Sequence, residues 1–162
     1  GAELARVLLS PTSVAVVGAS DNAGKTSGRP LKFLRQAGFA GRVYPVNPRR
    51  AQVLGETAWP DLASLPEVPE HVFVITPTET VLDTVRECAR LGVRLVTVLA
   101  SGFSEAGPEG LAREQALHLA QWQHDWCPGL ARACPWGGLC QFGVGGQRGR
   151  LECGRNCCRH LG

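Results

Sequence analysis

The stretch "VAVVGASDNAGKTSG", Val14 to Gly28, decides how the rest of the chain is read. Its first four residues are apolar and Gly18 ends the run, the pattern of a buried strand entering a turn. Gly24 and Gly28 follow, with Lys25 between them. From Pro30 to Ala37 the spacing becomes helical, with Leu31, Leu34 and Ala37 facing inward and Gly38 placed to end the helix. A glycine-rich turn exposes backbone N–H groups, and the helix after it presents more of them to an anion. The stretch therefore predicts a strand, a phosphate-holding loop and a helix.

Two familiar phosphate loops fit poorly. A Walker A loop has four residues between its first glycine and Gly-Lys-Ser/Thr. Here five residues separate Gly18 from Gly24, and Lys25 lies in the loop, ahead of the predicted helix start. No Asp closes the third strand to hold magnesium, because that strand ends in Thr76-Pro77. The P-loop is rejected. The dinucleotide pattern Gly-x-Gly-x-x-Gly is also mis-spaced, and the second strand ends in Asn47-Pro48-Arg49-Arg50 where NAD asks for an acid. Two arginines there suit a ribose phosphate, so an NADP-binding Rossmann domain stays open as an alternative.

Further along, "RVYPV" (Arg42–Val46), "HVFVIT" (His71–Thr76) and "VRLVTVLA" (Val93–Ala100) read as three more strands. Thr76 as N-cap, Pro77 at the first helical position and Glu79 three residues after the cap predict a helix start. Val81, Leu82, Val85, Cys88 and Ala89 share one face of that helix, and Gly92 stops it. Pro108–Ala116 reads as another helix. Apolar strands alternating with amphipathic helices define an α/β parallel sheet covered on both faces, and ligands of such sheets bind beyond the carboxyl ends of the strands. Those ends are Gly18–Gly28, Asn47–Arg50, Thr76–Thr78 and Ser101–Phe103.

The chain divides near residue 118. Residues 1–117 carry 12 basic and 12 acidic side chains; residues 118–162 carry five Arg against Asp125 and Glu152, the whole net charge of +3. A neutral body argues against nucleic-acid binding. No apolar run approaches the ~18 residues of a membrane span and no signal-peptide pattern opens the chain, so no membrane partner and a cytoplasmic location are expected. The 44% hydrophobic content is that of a globular protein.

Taken together, "LLSPTSVAVVGASDNAGKTSGRPLKFL", "GRVYPVNPRRAQVLGETAWPDLASLPEVPEHVFVITPTETV" and "GVRLVTVLASGFSEAG" resemble the CoA-binding domain of ADP-forming acyl-CoA (acetate–CoA) synthetases, related to the succinyl-CoA synthetase alpha subunit. The resemblance spans roughly residues 4–117 and implies a Rossmann-like sheet that binds CoA or acyl-CoA. By position, Gly18, Ala19, Ser20, Gly24, Lys25 and Gly28 would surround the CoA phosphates. Val46, Asn47, Pro48 and Arg49 would lie along the adenosine, with Arg49 or Arg50 meeting the 3′-phosphate. Thr76 and Pro77 would border the nucleotide or pantetheine, and Ser101, Gly102 and Phe103 the thiol end. The resemblance further implies an acid–CoA ligase whose ATP/ADP and Mg are handled only in the complete enzyme, by an ATP-grasp domain or subunit. A stand-alone module sensing CoA or a nucleotide is the rival reading. No catalytic residue is expected: Ser20 and Ser101 lack a neighbouring His at a motif spacing, and His71 at a strand start reads as structural or exposed.

The expected domain is residues 1–117, with 118–162 as a Cys/Gly/Trp-rich tail. That tail holds six of the seven cysteines, three of the four tryptophans and nine glycines, and shows neither a fifth strand nor a Gly-Pro-Asn loop. It contains no C-x2-C pair, so the metal signal from its cysteines with His124 and His160 is weak and no metal site is assigned. A disulfide-stapled extension is disfavoured in a cytoplasmic setting. The favoured reading is translation out of frame. The expected sheet accordingly lacks its fifth strand, leaving Leu95, Val96 and Val98 poorly covered and predicting marginal stability or a homodimer through that edge.

Overall fold

The computed structural model describes residues 2–122 and two short strands beyond them. In chain order the elements are α1 (Ala2–Leu9), β1 (Ser13–Val17), α2 (Arg29–Gln36), β2 (Arg42–Val46), a two-stranded hairpin β3 (Gln52–Val53) and β4 (Glu56–Thr57), β5 (His71–Val74), α3 (Thr78–Leu91), β6 (Leu95–Val98), α4 (Pro108–Trp122), β7 (Leu130–Ala133) and β8 (Leu139–Phe142). The main sheet has the order β2-β1-β5-β6-β7-β8, parallel throughout except for the antiparallel β8. This is the α/β, Rossmann-like parallel sheet expected from the sequence.

Period-two alternation sends successive side chains to opposite faces of the sheet. On one face Ala15, Val72, Val74, Val96 and Val98 form a core with Val81, Val85 and Cys88 of α3 and Leu117 of α4. On the other, Val14 and Val16 pack with Leu31 of α2 and with Val53 of the hairpin. α1, unforeseen in the sequence, seats Val7 on Leu95. Cys88 is buried, and burial pushes its thiol up to about 12, so it packs as a small apolar residue.

Two expectations are corrected. β7 pairs with β6 in parallel, Val96 opposite Leu130 and Val98 opposite Arg132, so a fifth parallel strand is present within the segment read as foreign to the fold. Leu95, Val96 and Val98 are buried, and the argument for an edge-driven dimer loses its basis. Periodicity did not reveal β7 because a four-residue strand beside Gly, Pro and Cys has too few alternations to register. The second correction concerns α3. Its N-cap is Pro77, with φ −53° and ψ 146°, and the first helical residue is Thr78. Thr76 therefore caps nothing. The tail cysteines and His124 and His160 invoked for metal binding lie outside the described residues, Cys140 excepted, of which only the backbone is described.

Candidate phosphate-binding site

The parallel order places β1 between β2 and β5, and the connections leaving β1 and β5 depart to opposite faces of the sheet. A crevice at the carboxyl ends follows from that divergence. Gly18 opens it. Its N–H donates to Val46 O at 3.0 Å, its φ is +84°, and a Cβ there would lie 2.6 Å from Ile75 O. Only glycine meets both conditions. The loop folds back so tightly that a Cβ on Gly28 would lie 2.2 Å from Asn22 O.

Much of the loop's hydrogen bonding is internal. Ser20 N donates to Ser27 O at 3.2 Å, Asn22 N to Ser20 Oγ at 3.2 Å, Gly24 N to Asn22 Oδ1 at 3.0 Å, and Lys25 N to Asn22 O at 3.0 Å. Gly28 N donates to Lys25 O at 3.0 Å. The glycines thus shape the loop, while among the described residues the amides of Ala19, Thr26 and Ser27 find no protein acceptor. Gly28, the N-cap of α2, offers no side chain to the first turn, where Arg29 N donates to Lys25 O at 3.2 Å and Pro30 has no N–H. Ala19 and Val46 are buried and belong to the two cores on either side of the sheet. Lys25 is exposed and has no ion-pair partner among the described residues.

The β2 end closes against this loop. Asn47 Nδ2 donates to Ala19 O at 2.8 Å, and Asn47 Oδ1 accepts the Arg49 amide at 2.8 Å. Pro48 is exposed between them. The two arginines differ: Arg50 forms an ion pair with Asp21 of the loop, whereas the Arg49 guanidinium has no partner among the described residues. Asp21 was overlooked in the sequence, although it sits inside the opening stretch. No local pattern marks a partner 29 residues away.

Across the crevice, the Thr76 hydroxyl oxygen is buried with no hydrogen-bond partner among the described residues, beside Gly18. A buried hydroxyl left unpaired costs free energy unless a ligand satisfies it. Pro77 next to it is exposed. Thr78 Oγ1 donates to Ser101 O at 2.5 Å and Glu105 Oε1 accepts the Gly102 amide at 2.7 Å, so the β6 rim is tied down by residues whose role the sequence did not show. Phe103 turns inward, nearly fully buried in the α3–α4 core, and leaves Ser101 exposed and Gly102 half-buried at the rim. An apolar cavity of about 460 Å³ lies beneath the loop between α2 and the sheet, lined by Phe33, Leu34, Phe73 and Leu99 among others. Its lining is mostly apolar, with Thr26 of the loop and Arg29 of α2 also contributing to it.

His71 lies outside the crevice. It is 3% exposed, and its Nε2 and Thr97 Oγ1 share a 2.8 Å hydrogen bond. Burial pulls its pKa down to about 4, so it is a neutral structural residue. Among the described residues no cluster of His, Cys, Asp or Glu is arranged to hold a metal. No helix among them is long and apolar enough to cross a membrane.

Fold and crevice together define an α/β domain built to hold a phosphorylated ligand at the topological switch between β1 and β5. Residues 12–131 match the CoA binding domain family, and the chain belongs to that family. It is similar to a trans-feruloyl-CoA synthase of an unknown prokaryotic organism, 44% identical over 110 residues, covering 68% of this chain and 16% of that protein. It is 35% identical over 114 residues to the alpha subunit of acetate–CoA ligase [ADP-forming] I of Pyrococcus furiosus, covering 68% of this chain and 25% of that subunit. Among solved structures, acetyl-coenzyme A synthetase 1 of Ca. Korarchaeum cryptofilum, in complex with phosphate and ADP, superposes with a TM-score of 0.70 at 28% identity, covering 80% of this chain and 27% of that one. The chain thus spans from about a sixth to a quarter of the length of these relatives. It is homologous to the CoA-binding domain of ADP-forming acid–CoA ligases.

Proposed function

We propose that the chain holds CoA or an acyl-CoA across the carboxyl ends of β2, β1, β5 and β6, as the CoA-holding part of an ADP-forming acid–CoA ligase. The free amides of Thr26 and Ser27, with Lys25, take the pyrophosphate. Arg49 takes the 3′-phosphate, beside Asn47 and Pro48 on the adenosine. The Thr76 hydroxyl pairs with a polar group of the ligand next to Pro77, and Ser101 and Gly102 border the thiol end. The observation that carries this reading is the loop at Gly18–Gly28, which leaves the Thr26 and Ser27 amides and the Lys25 side chain without protein partners among the described residues, in a crevice that also holds the unpaired Arg49 guanidinium. Donors and cations of this kind suit a polyanion.

In such a ligase the CoA sulfur bonds to the acyl carbon of an acyl phosphate, and phosphate leaves with the bonding electrons. The acyl phosphate is made at the expense of ATP with magnesium, work assigned to an ATP-grasp domain or subunit that acts with this one. This chain orients the thiol and supplies no catalytic group of its own. A cytoplasmic location suits an enzyme that draws on ATP and CoA.

Calorimetric titration of the whole chain with CoA, dephospho-CoA and NADP tests the reading. CoA binding weakened by loss of the 3′-phosphate is the expected result. Binding of NADP alone would replace it with the oxidoreductase alternative, and binding of none of the three would remove it.

A further inference from the structure

Arg49 and Arg50 are adjacent, both exposed, and both at the mouth of the crevice, yet they are held differently. Arg50 is ion-paired to Asp21 Oδ2, while Asp21 Oδ1 accepts the backbone N–H of Leu54 at 2.8 Å. One carboxylate therefore ties the β1–α2 loop to the segment after β2 and to the β3–β4 hairpin. Leu54 is the turn residue of that hairpin and the one non-glycine with positive φ, +50°, among the described residues. Its carbonyl in turn accepts Arg35 Nη1 of α2 at 2.6 Å, and Arg35 also pairs with Glu56 at 2.5 Å. Asp21, Arg50, Leu54, Arg35 and Glu56 form a clasp that holds the hairpin against the loop and the helix behind it. Arg49 stands outside the clasp, positioned only through its amide on Asn47.

We infer that Asp21 and Arg50 are positioning residues that divide the work of the arginine pair: Asp21 withdraws Arg50 from the ligand and neutralises its own charge beside the phosphate loop, leaving Arg49 to read the 3′-phosphate. The inference rests on the proposed CoA reading of the same crevice. Its physical content is that Arg50 acts only through Asp21. Removing Arg50 exposes a bare carboxylate next to a site for a polyanion and loosens the hairpin, which weakens every phosphorylated ligand alike. Removing Arg49 deletes one phosphate contact, which affects only the ligand that carries the 3′-phosphate.

The experiment measures CoA and dephospho-CoA affinities by calorimetry for the unaltered chain and for Arg49→Gln, Arg50→Gln, Arg50→Lys, Asp21→Asn and the double variant Asp21→Asn/Arg50→Gln, each checked by thermal melting. Arg49→Gln should bring the ratio of the two affinities close to one. Arg50→Gln should weaken both ligands by the same factor, about three- to tenfold for a partly exposed charge pair. Arg50→Lys, which keeps the charge on Asp21 neutralised, should recover most of that loss. In the Asp21→Asn background, Arg50→Gln should change neither affinity by more than about twofold, because the partner through which it acts is gone. A collapse of the CoA to dephospho-CoA ratio in Arg50→Gln, or an undiminished effect of that change in the Asp21→Asn background, would overturn the inference while leaving CoA binding intact. Failure of the unaltered chain to bind CoA would overturn the reading beneath it.

Discussion

Asn47 donates its side-chain N–H to the carbonyl oxygen of Ala19 across 2.8 Å, tying the end of β2 to the loop that leaves β1. The bond joins two parts of the crevice that lie 28 residues apart, and its other end, Oδ1, accepts the Arg49 amide at 2.8 Å. A single side chain thus sets both the loop and the arginine beside it. Asn47→Ala should lower stability by about 1–2 kcal/mol, the cost of leaving such partners unmet. It should also weaken CoA more than it weakens inorganic phosphate, because the adenosine end is the part that shifts. Parallel melting and calorimetry check this, and an equal loss for both ligands would contradict it.

Gly18 and Gly92 both have positive φ, at +84° and +79°, but only Gly18 is crowded. A Cβ at Gly18 meets Ile75 O at 2.6 Å, whereas at Gly92 it meets nothing within 4 Å. Gly92→Ala should cost about 1 kcal/mol, the penalty of a left-handed helix cap without glycine. Gly18→Ala should cost about 2–4 kcal/mol, since backbone strain and overlap add. Urea midpoints of the two variants distinguish them, and similar losses would mean that the β1–β5 crevice yields more easily than its packing implies.

Lys25 carries its charge on the loop without a protein partner. Lys25→Gln should weaken CoA by about tenfold, as expected for a charge-assisted contact to phosphate. It should also flatten the dependence of affinity on salt, because exposed charge attraction is screened over about 10 Å at 0.1 M. Titrations at two ionic strengths read both effects.

His71 gives stability a dependence on pH. Its folded pKa is lowered to about 4 from 6.5 by burial against the sheet. Above 6.5 both folded and unfolded states are neutral at this site and its contribution is fully present. As pH falls from 6.5 toward 4, the unfolded chain takes up a proton that the folded chain refuses, and stability declines. The decline is on the order of 3 kcal/mol across that window. A His71→Gln variant should lose much of the slope between pH 6.5 and 4 in melting temperature; an unchanged slope would place the titration elsewhere.

Sheet, core and loop were readable because each rests on short-range pattern. The apolar run Val14–Val17 ending at Gly18 predicts a buried strand, and β1 is Ser13–Val17. Pro30 sits in the first turn, and Gly38 just past the end, of a helix that runs from Arg29 to Gln36. The start of α3 was misread because Thr76-Pro77-Thr78-Glu79 matches a capping pattern in more than one frame. Tertiary packing chose Pro77 as the cap and left the Thr76 hydroxyl buried and unpaired at the crevice. β7 escaped notice because its support comes from β6, not from its own pattern.

Alone, the sequence determined that apolar strands alternate with helices and that a glycine loop with a lysine follows the first of them. Those features depend on neighbours a few residues apart, through the period-two and 3.6-residue repeats and through glycine's freedom at positive φ. Only the tertiary structure decided which charges remain free. Arg49 and Arg50 are indistinguishable as text; Asp21, 29 residues before Arg50, reaches one and not the other. It likewise turned Phe103 into the core and left Ser101 and Gly102 at the rim. Long-range pairing sets what a side chain is free to bind, and no local pattern encodes it.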